Sequence, residues 1–220
     1  MAPSRRVAPK PPDLPELSDA KPGAGAAGEL TVSGVRLRGG EHGGLSVARL
    51  RIEESELDAV AVEAGDLDGL LLSDVVARDC DLSNLHSHQG SIRRAVIRGS
   101  RLVGFTLTEG KLQDLHVIDT TMAYASLAYC ELKRVVFERV VLSEASFLGA
   151  RLQSVAFVDC ELAGADFRGA SLGACTMRGS SLEGVIGAES LRGLEMAWSD
   201  IVASAGALAG ALGITVEPEA

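Results

Sequence analysis

The sequence predicts an all-β solenoid, and three observations carry that prediction. From Val47 to Leu182 every fifth residue is apolar without a break in phase, and of these 28 positions only Ala77 and Ser87 are not large apolar residues. A period of five is neither helical (3.6) nor that of a strand (2.0), so the chain turns a corner every five residues. Composition agrees: only 4% of residues are aromatic while 25 are glycine, as a narrow core with many corners requires. Third, the residue two before each apolar centre is small or medium-sized and uncharged from Thr120 through Cys130, Ala150 and Ala165 to Ser180. Residues two apart on an extended segment point the same way, so each unit sends one large and one small side chain inward. Self-similarity at a fixed short period is the mark of a solenoid, which works through its surface.

Residues 1–28 hold Pro3, Pro9, Pro11, Pro12, Pro15 and Pro22 followed by a Gly/Ala run, which predicts a disordered or extended tail. A G-x-G-x-x-G string, Gly23 to Gly28, lacks the preceding strand and following helix that phosphate binding needs. The solenoid is expected over 29–186. Val32 and Leu37 keep the phase, and His42 spoils one step. Leu70, Leu85, Phe105 and Leu115 occupy small positions, so bulges or a wider bore are expected in the N-terminal half. Cys80, Cys130, Cys160 and Cys175 all fall at the small inward position, which accounts for them as buried free thiols.

After Leu182 the phase ends. Residues 187–216 are expected to form a cap, with a helix that starts at Ser199-Asp200 and stops at Gly213, leaving a short tail at 217–220. Ile201, Val202, Ala205, Leu208 and Leu212 have helical spacing, and Ile214 follows; no residue of 201–216 is charged. A helix apolar all round is buried. One rod end cannot bury it fully, so it is expected to meet a second copy and make a C-terminal homodimer.

Ala165-Asp166-Phe167-Arg168-Gly169 and Ala170-Ser171-Leu172-Gly173-Ala174 resemble the A-(D/N)-L-x-x unit of the pentapeptide-repeat family. That resemblance implies a right-handed quadrilateral β-helix with four pentads per coil, so that residues twenty apart stack. On this rule Val47–Leu182 makes about seven coils at ~4.8 Å each. Phe137, Phe157 and Met177 then share one side, Phe147 and Phe167 the opposite one, and leucines stack on the two between. The C-terminal tail is similar to the helical dimer modules of bacterial members of the family.

Net charge is −9 and the pI near 5.0, which argues against direct binding of nucleic acid or an anionic membrane. No apolar run is long enough to span a membrane and the N-terminus does not read as a secretory signal, so a cytoplasmic location is expected. No nucleophile elbow, phosphate loop or zinc spacing occurs, and no catalytic residue or cofactor is expected. One constellation stands out: His86 and His88 point outward one coil above Asp66 and Asp68. It reads either as a surface metal site or as a His–Asp hydrogen-bonded ladder. Opposite charges also recur at a separation of twenty: Asp58 with Arg78, Asp74 with Arg94, Asp81 with Arg101, Asp114 with Arg134, Lys111–Glu131–Arg151 and Asp119–Arg139–Asp159. These read as register-fixing ladders.

Three functions follow as expectations. The family resemblance implies an acidic rod that mimics duplex DNA and binds DNA gyrase or another topoisomerase, inhibiting it or protecting it from inhibitors. Glu53, Glu54, Glu56, Asp58, Glu63, Asp66 and Asp68 are the candidate contacts, although they spread over all four sides and a basic belt of Arg93, Arg94, Arg98 and Arg101 follows them. The second function is an interaction solenoid with another partner, for which Tyr124 and Tyr129, beside Ile118, Ala123, Ala128, Val136 and Val141, form a candidate patch. The third, a metal-dependent protein or enzyme, rests on His86 and His88 alone.

Overall fold

A computed structural model of the chain describes residues 8–20, 29–39, 48–67 and 69–215. The Gly23–Gly28 string, His42, Asp68 and the last residues lie outside them. The corners show directly in the backbone. Asp74, Asp79, Asn84, Gln89 and Arg94 have φ of 58°, 52°, 53°, 57° and 49°, and the series continues at every fifth residue to Gly184 at 64°. Each corner sits two residues after an apolar centre. Four of them close one coil, because the ladder pairs each residue with its neighbour twenty places on: Leu112 with Leu132 with Leu152, and Val117 with Phe137 with Phe157. The result is a parallel β-solenoid of about eight turns. The extra turn over the expected seven is Glu29–Ser33 and Val35–Arg38, which pair in the same register with Arg49–Asp58.

We number the sides by the apolar centres they carry: Leu132 (first), Phe137 (second), Leu142 (third), Phe147 (fourth). The first and second sides run together as long strands, such as Glu131–Glu138 and Arg151–Val158, that bend at the corner between them. The third and fourth sides are mainly tight turns linked by single bridges such as Thr121 to Val141 and Ser126 to Ser146.

The core follows from the stacking. Phe137 lies over Phe157 with ring centroids 5.3 Å apart and planes within 10°, and Phe147 over Phe167 at 4.8 Å and 8°. The two stacks meet edge to face across the bore, Phe147 to Phe157 at 5.8 Å and 87°, the arrangement ring quadrupoles favour. All four cysteines are buried and free. Burial raises the thiols of Cys80 and Cys130 to about 11, which keeps them protonated and inert. Buried hydroxyls at the small inward position are satisfied by backbone amides one coil back: Ser100 accepts from Cys80 N–H at 3.1 Å, and Ser180 from Cys160 N–H at 2.9 Å.

The N-terminal half departs from expectation. Leu70, Leu85, Phe105 and Leu115 are all buried, and the register through them has no bulge. Neighbouring inward positions give up volume instead. Gly90 stacks next to Leu70, where an added Cβ would sit 3.0 Å from Leu70 Cβ, and Leu85 is followed by the small Ser87 at an apolar centre. These small neighbours offset the larger side chains without a shift of register.

The ladder is covered on its second side at the N-terminal end and by a cap at the other. Strand β1 (Ser18–Ala20) pairs with Val35–Leu37 at the N-terminal end of the second side. At the other end the expected single helix is two short ones, α1 (Trp198–Ala203) and α2 (Ala205–Ala211). Ser199-Asp200 does not cap it: Ala197 holds the N-cap position, with no side-chain capping bond. Asp200 and Ser204 turn inward instead. Asp200 Oδ2 accepts Gly179 N–H at 3.0 Å, Ser204 Oγ accepts Leu182 N–H at 3.1 Å, and Ser190 Oγ accepts Gly169 N–H at 3.1 Å. These amides belong to the last coil and have no next coil to bond, so three side-chain oxygens stand in for it. The helix divides at Ser204 because that residue is held against the solenoid. Gly213 does end the helical segment: its φ is 74°, Gly213 N–H reaches Gly210 O and Ile214 N–H reaches Ala209 O, the paired bonds of a Schellman stop.

Candidate interaction surfaces

Because coils stack in register, every outward position becomes a column. On the second side one column reads Val76, Val96, His116, Val136, Ala156, Thr176. The corner before it reads Asp74, Arg94, Asp114, Arg134, Ser154, Ala174. Arg94 forks onto both carboxylate oxygens of Asp74, and Arg134 onto both of Asp114 at 2.5 Å each. Asp74 and Asp114 are 4% and 1% exposed, so these pairs are recessed, unlike surface ion pairs. The hydrogen bonds from Arg134 hold the Asp114 carboxyl down at about 2 against the opposing cost of burial, and Arg94 lowers Asp74 in the same way.

The N-terminal segment explains why these carboxylates are recessed. Residues 8–20, expected within a disordered or extended tail, form an extended strap along this corner. Lys10 N–H donates to Asp114 Oδ1 at 3.1 Å, and Asp13 N–H donates to Asp74 Oδ1 at 3.1 Å. Pro9, Pro12, Leu14 and Leu17 are half-buried. The prolines fix φ and suit an extended chain, and the two bonded amides belong to residues that are not proline. The charge ladder at Asp74 and Asp114 was legible in the sequence. Its second task, anchoring the strap, was signalled only by the non-proline positions within a proline-rich run.

The acidic candidates do not merge into one face. Glu53 and Glu54 lie on the first side, Glu56 and Asp58 on the second, Glu63 on the third and Asp66 on the fourth. Glu56 is neutralised by Arg36 at 2.9 Å and Arg78 at 3.6 Å, so Arg78 pairs with it rather than with Asp58. Of the other expected ladders, Arg139 holds Asp119 at 2.6 Å and Arg151 approaches Glu131 at 3.5 Å. Asp81 turns to Ser83 N–H at 3.0 Å in place of Arg101.

His86 and His88 are exposed as expected, and Asp66 pairs with His86 across the ladder. The His88 ring turns the other way, with Nδ1 3.1 Å from Thr108 Oγ1 and Nε2 3.7 Å from Glu109 Oε2. Among the described residues no three His, Cys, Asp or Glu side chains converge on a cation position. Tyr124 and Tyr129 are exposed, but on successive corners, and the Tyr129 ring lies across Gly149 of the next coil. Ile118 and Ala128 occupy outward positions but are buried, which leaves Tyr124 and Tyr129 as the exposed residues of the expected patch.

At the C-terminal end Trp198, Val202, Leu212 and Ile214 are 77%, 58%, 79% and 56% exposed. Ala205 is exposed too, whereas Ile201 is half-buried and Leu208 packs against the solenoid core. Among the described residues no helix is long and apolar enough to cross a membrane.

The family model for pentapeptide repeats matches residues 122–157 and 149–184, with eight copies. Residues 122–184 are pentapeptide repeats. The matched segment is where the pentapeptide consensus is cleanest, with phenylalanine, leucine or methionine at the centre and a small or medium-sized uncharged residue two before it. Upstream the coil register persists while Leu70, Leu85 and Phe105 depart from that consensus, which is why geometry there reaches further than sequence likeness. Among solved pentapeptide-repeat and related structures, trypsin-treated QnrB1, a plasmid-mediated fluoroquinolone resistance protein, is 17% identical; the match covers 93% of this chain and 98% of that one, with a TM-score of 0.33. HetL of the cyanobacterium Nostoc sp. strain PCC 7120, a pentapeptide-repeat protein involved in heterocyst differentiation regulation, is 16% identical over 84% of this chain and 89% of that one, with a TM-score of 0.27. Rfr23 of the cyanobacterium Cyanothece 51142 is 17% identical over 60% and 84%, with a TM-score of 0.18. At such scores these likenesses carry no weight of their own, and the pentapeptide assignment rests on the repeat match and the register. No curated protein matches the chain.

Proposed function

We propose that the protein is a non-enzymatic interaction rod. The observation that carries this reading is the division of labour in the pentad: two positions are spent on the core, and the other three form columns of aligned side chains running the length of the rod. Such a surface recognises an extended partner. The class of partner we propose is DNA gyrase or another topoisomerase, addressed as a mimic of duplex DNA. Net charge of −9 and the exposed Glu54, Glu63 and Asp66 support it. Neutralised Glu56 and the exposed Arg93, Arg98 and Arg101 on nearby coils confine the acidic stretch to the coil that holds Arg49–Asp58 and Gly65–Leu67. That confinement favours, as the second reading, an interaction solenoid with a non-topoisomerase protein. Direct nucleic-acid contact and membrane attachment are not part of either reading, nor is a cofactor, and the cytoplasm is the location both suit.

Titrating the protein into a gyrase supercoiling assay, with and without a quinolone, separates the two. DNA mimicry requires inhibition or drug relief at micromolar protein, lost when Glu54, Glu63 and Asp66 are neutralised together. No effect at saturation leaves the second reading.

We further propose a homodimer through the C-terminal end. Trp198, Val202, Leu212 and Ile214 form an uncharged apolar surface at the tip of a rod, and a two-fold axis there sets the same residues against themselves. A Val202→Asp/Leu212→Asp variant keeps Asp200 and Ser204 in place to close the solenoid, and is expected to sediment as a monomer while wild type sediments as a dimer. Equal sedimentation of the two would refute the interface.

A further inference from the structure

The first side carries its charges differently from the rest of the rod. One of its outward columns reads Arg93, Gln113, Lys133, Gln153. The other reads Ser91, Lys111, Glu131, Arg151. Arg93, Lys111, Lys133 and Arg151 therefore occupy four successive coils and alternate between the columns. All four are exposed, and the one acid among them is Glu131, which Arg151 approaches at 3.5 Å. Arg93, Lys111 and Lys133 make no ion pair among the described residues. Elsewhere the solenoid pairs its cations across coils, Arg94 with Asp74, Arg134 with Asp114 and Arg139 with Asp119. The corners beside the stripe add no free acid: Asp114 is held by Arg134, and Glu109 turns to Gln89 and His88. Residues 1–7 and 21–28, outside the described residues, contain no acid that could neutralise it. Successive cations stand ~8 Å apart, close to the screening length at physiological salt, so they repel one another in the unbound rod.

The stripe has the period of a helix face. Its cations step ~4.8 Å along the rod and swing from one column to the other at each step. Residues at alternating three- and four-residue spacing on an α-helix do the same at ~5.3 Å per step. Over the three steps from Arg93 to Arg151 the two drift apart by ~1.5 Å, within the reach of flexible Lys and Arg side chains. An extended strand alternates its side chains every ~3.3 Å and falls ~4.5 Å short over the same steps. The coil beyond Arg151 supplies an apolar contact on the same line. Leu172 is half-buried, where Leu112, Leu132 and Leu152 before it are fully buried. Its strand, Ser171–Gly173, pairs only with Arg151–Gln153 among the described residues. Leu172 lies in a depression of about 360 Å³ that Lys133 and Arg151 also line. The matching ligand is thus acidic along one line and apolar at the end nearest the cap. A rigid polyanion wider than one side would also face the acidic remainder of a chain of net charge −9, whereas a single helix, ~10 Å across, stays on the stripe.

We propose that the first side, from Arg93 to Leu172, is a docking site for an acidic amphipathic helix of a partner protein. Its carboxylates lie over Arg93, Lys111, Lys133 and Arg151, and an apolar residue lies over Leu172. The site begins two coils beyond Arg49–Asp58 and stands or falls independently of the topoisomerase reading.

The test uses the full-length protein and a fluorescein-labelled, alanine-based helical peptide, followed by fluorescence anisotropy. The peptide carries glutamates at alternating three- and four-residue steps and a leucine one step beyond the last. Saturable micromolar binding that weakens as salt is raised is expected. Lys111→Gln/Lys133→Gln, which extends the glutamines already present at Gln113 and Gln153, should weaken it at least about fivefold. Arg98→Gln/Arg101→Gln makes the same change in net charge on the second and third sides, and should leave affinity within about twofold. Thermal unfolding followed by circular dichroism should match wild type in both variants, so that lost binding reports the site. A peptide of identical composition with its glutamates spread around the helix should bind several-fold more weakly. Absence of saturable binding would overturn the proposal, as would equal losses in the two double variants or equal affinity for the scrambled peptide. A single-stranded oligonucleotide that binds the stripe as tightly would refute the helix reading. Binding that appears only after removal of residues 216–220, which hold Glu217 and Glu219, would assign the stripe to the chain's own tail and refute the partner reading.

Discussion

Replacing Phe157 by alanine is expected to cost about 3–5 kcal/mol of unfolding free energy, because a fully buried ring is lost and the cavity left behind has little means of collapsing. Phe157 is 1% exposed. It stacks on Phe137, pairs in register with Met177, and meets Phe147 and Phe167 edge to face at 5.8 and 6.2 Å. The walls of that cavity belong to coils whose spacing is set by backbone ladders on all four sides, so they cannot close on the gap. Each coil touches only its neighbours, and the damage should therefore be local. Amide exchange should quicken over the coils from Phe137 to Met177, while the ladder around Ile52 and Leu72 keeps its protection. Urea unfolding followed by circular dichroism gives the magnitude. A loss below about 1 kcal/mol, or exchange that rises uniformly along the rod, would contradict this account of the core.

The second large effect belongs to Asp114. Removing its charge with Asp114→Asn leaves Arg134, whose side chain is only 16% exposed, without its forked partner, and weakens the acceptor that holds Lys10 N–H. The expected cost is about 3 kcal/mol near neutral pH. The pH dependence follows from the direction of the shift. Asp114 titrates at about 2 in the folded protein, below the ordinary value of ~3.9 for an unfolded chain, so the unfolded state takes up the proton first as pH falls. Its contribution, on the order of 2 kcal/mol, is fully present above the unfolded value and is lost as pH falls from ~4 toward 2. Asp74, lowered by Arg94, adds stability of the same sign over the same acid range. Wild type and Asp114→Asn should therefore differ most at neutral pH and converge near pH ~2 in urea titrations. A gap that persists undiminished into acid would mean that the carboxylate is not what stabilises this corner.

These two residues also show how unevenly the candidate surfaces could be read from the chain. The alternation of Asp and Arg at a separation of twenty is visible in sequence, because a constant offset turns a one-dimensional pattern into a column. The strap is not visible in that way. Lys10 and Asp114 are 104 positions apart, outside any repeat, and only the path of the chain across the coils brings them together. The same holds for His88, whose ring turns to Thr108, a rotamer choice that no spacing encodes. Ile118 occupies an outward position by period and is nonetheless buried, because being outward in a pentad says which side of the wall a residue is on, not what else lies against that wall.

By itself the sequence determined the solenoid, its five-residue corners and twenty-residue register, the two phenylalanine stacks, and the buried state of the four cysteines. All are consequences of a strict period, and a period is local information repeated. Tertiary structure alone decided the rest. It placed the strap in its groove, split the C-terminal helix at Ser204, and turned Asp200, Ser204 and Ser190 onto the open edge of the last coil. It also absorbed Leu70 by pairing it with Gly90 in place of a bulge. Each of these depends on contact between segments outside the repeat, or between positions whose volumes compensate one another, where the free energy of burying an unpaired amide or filling a gap is settled only once the neighbouring coil is in place.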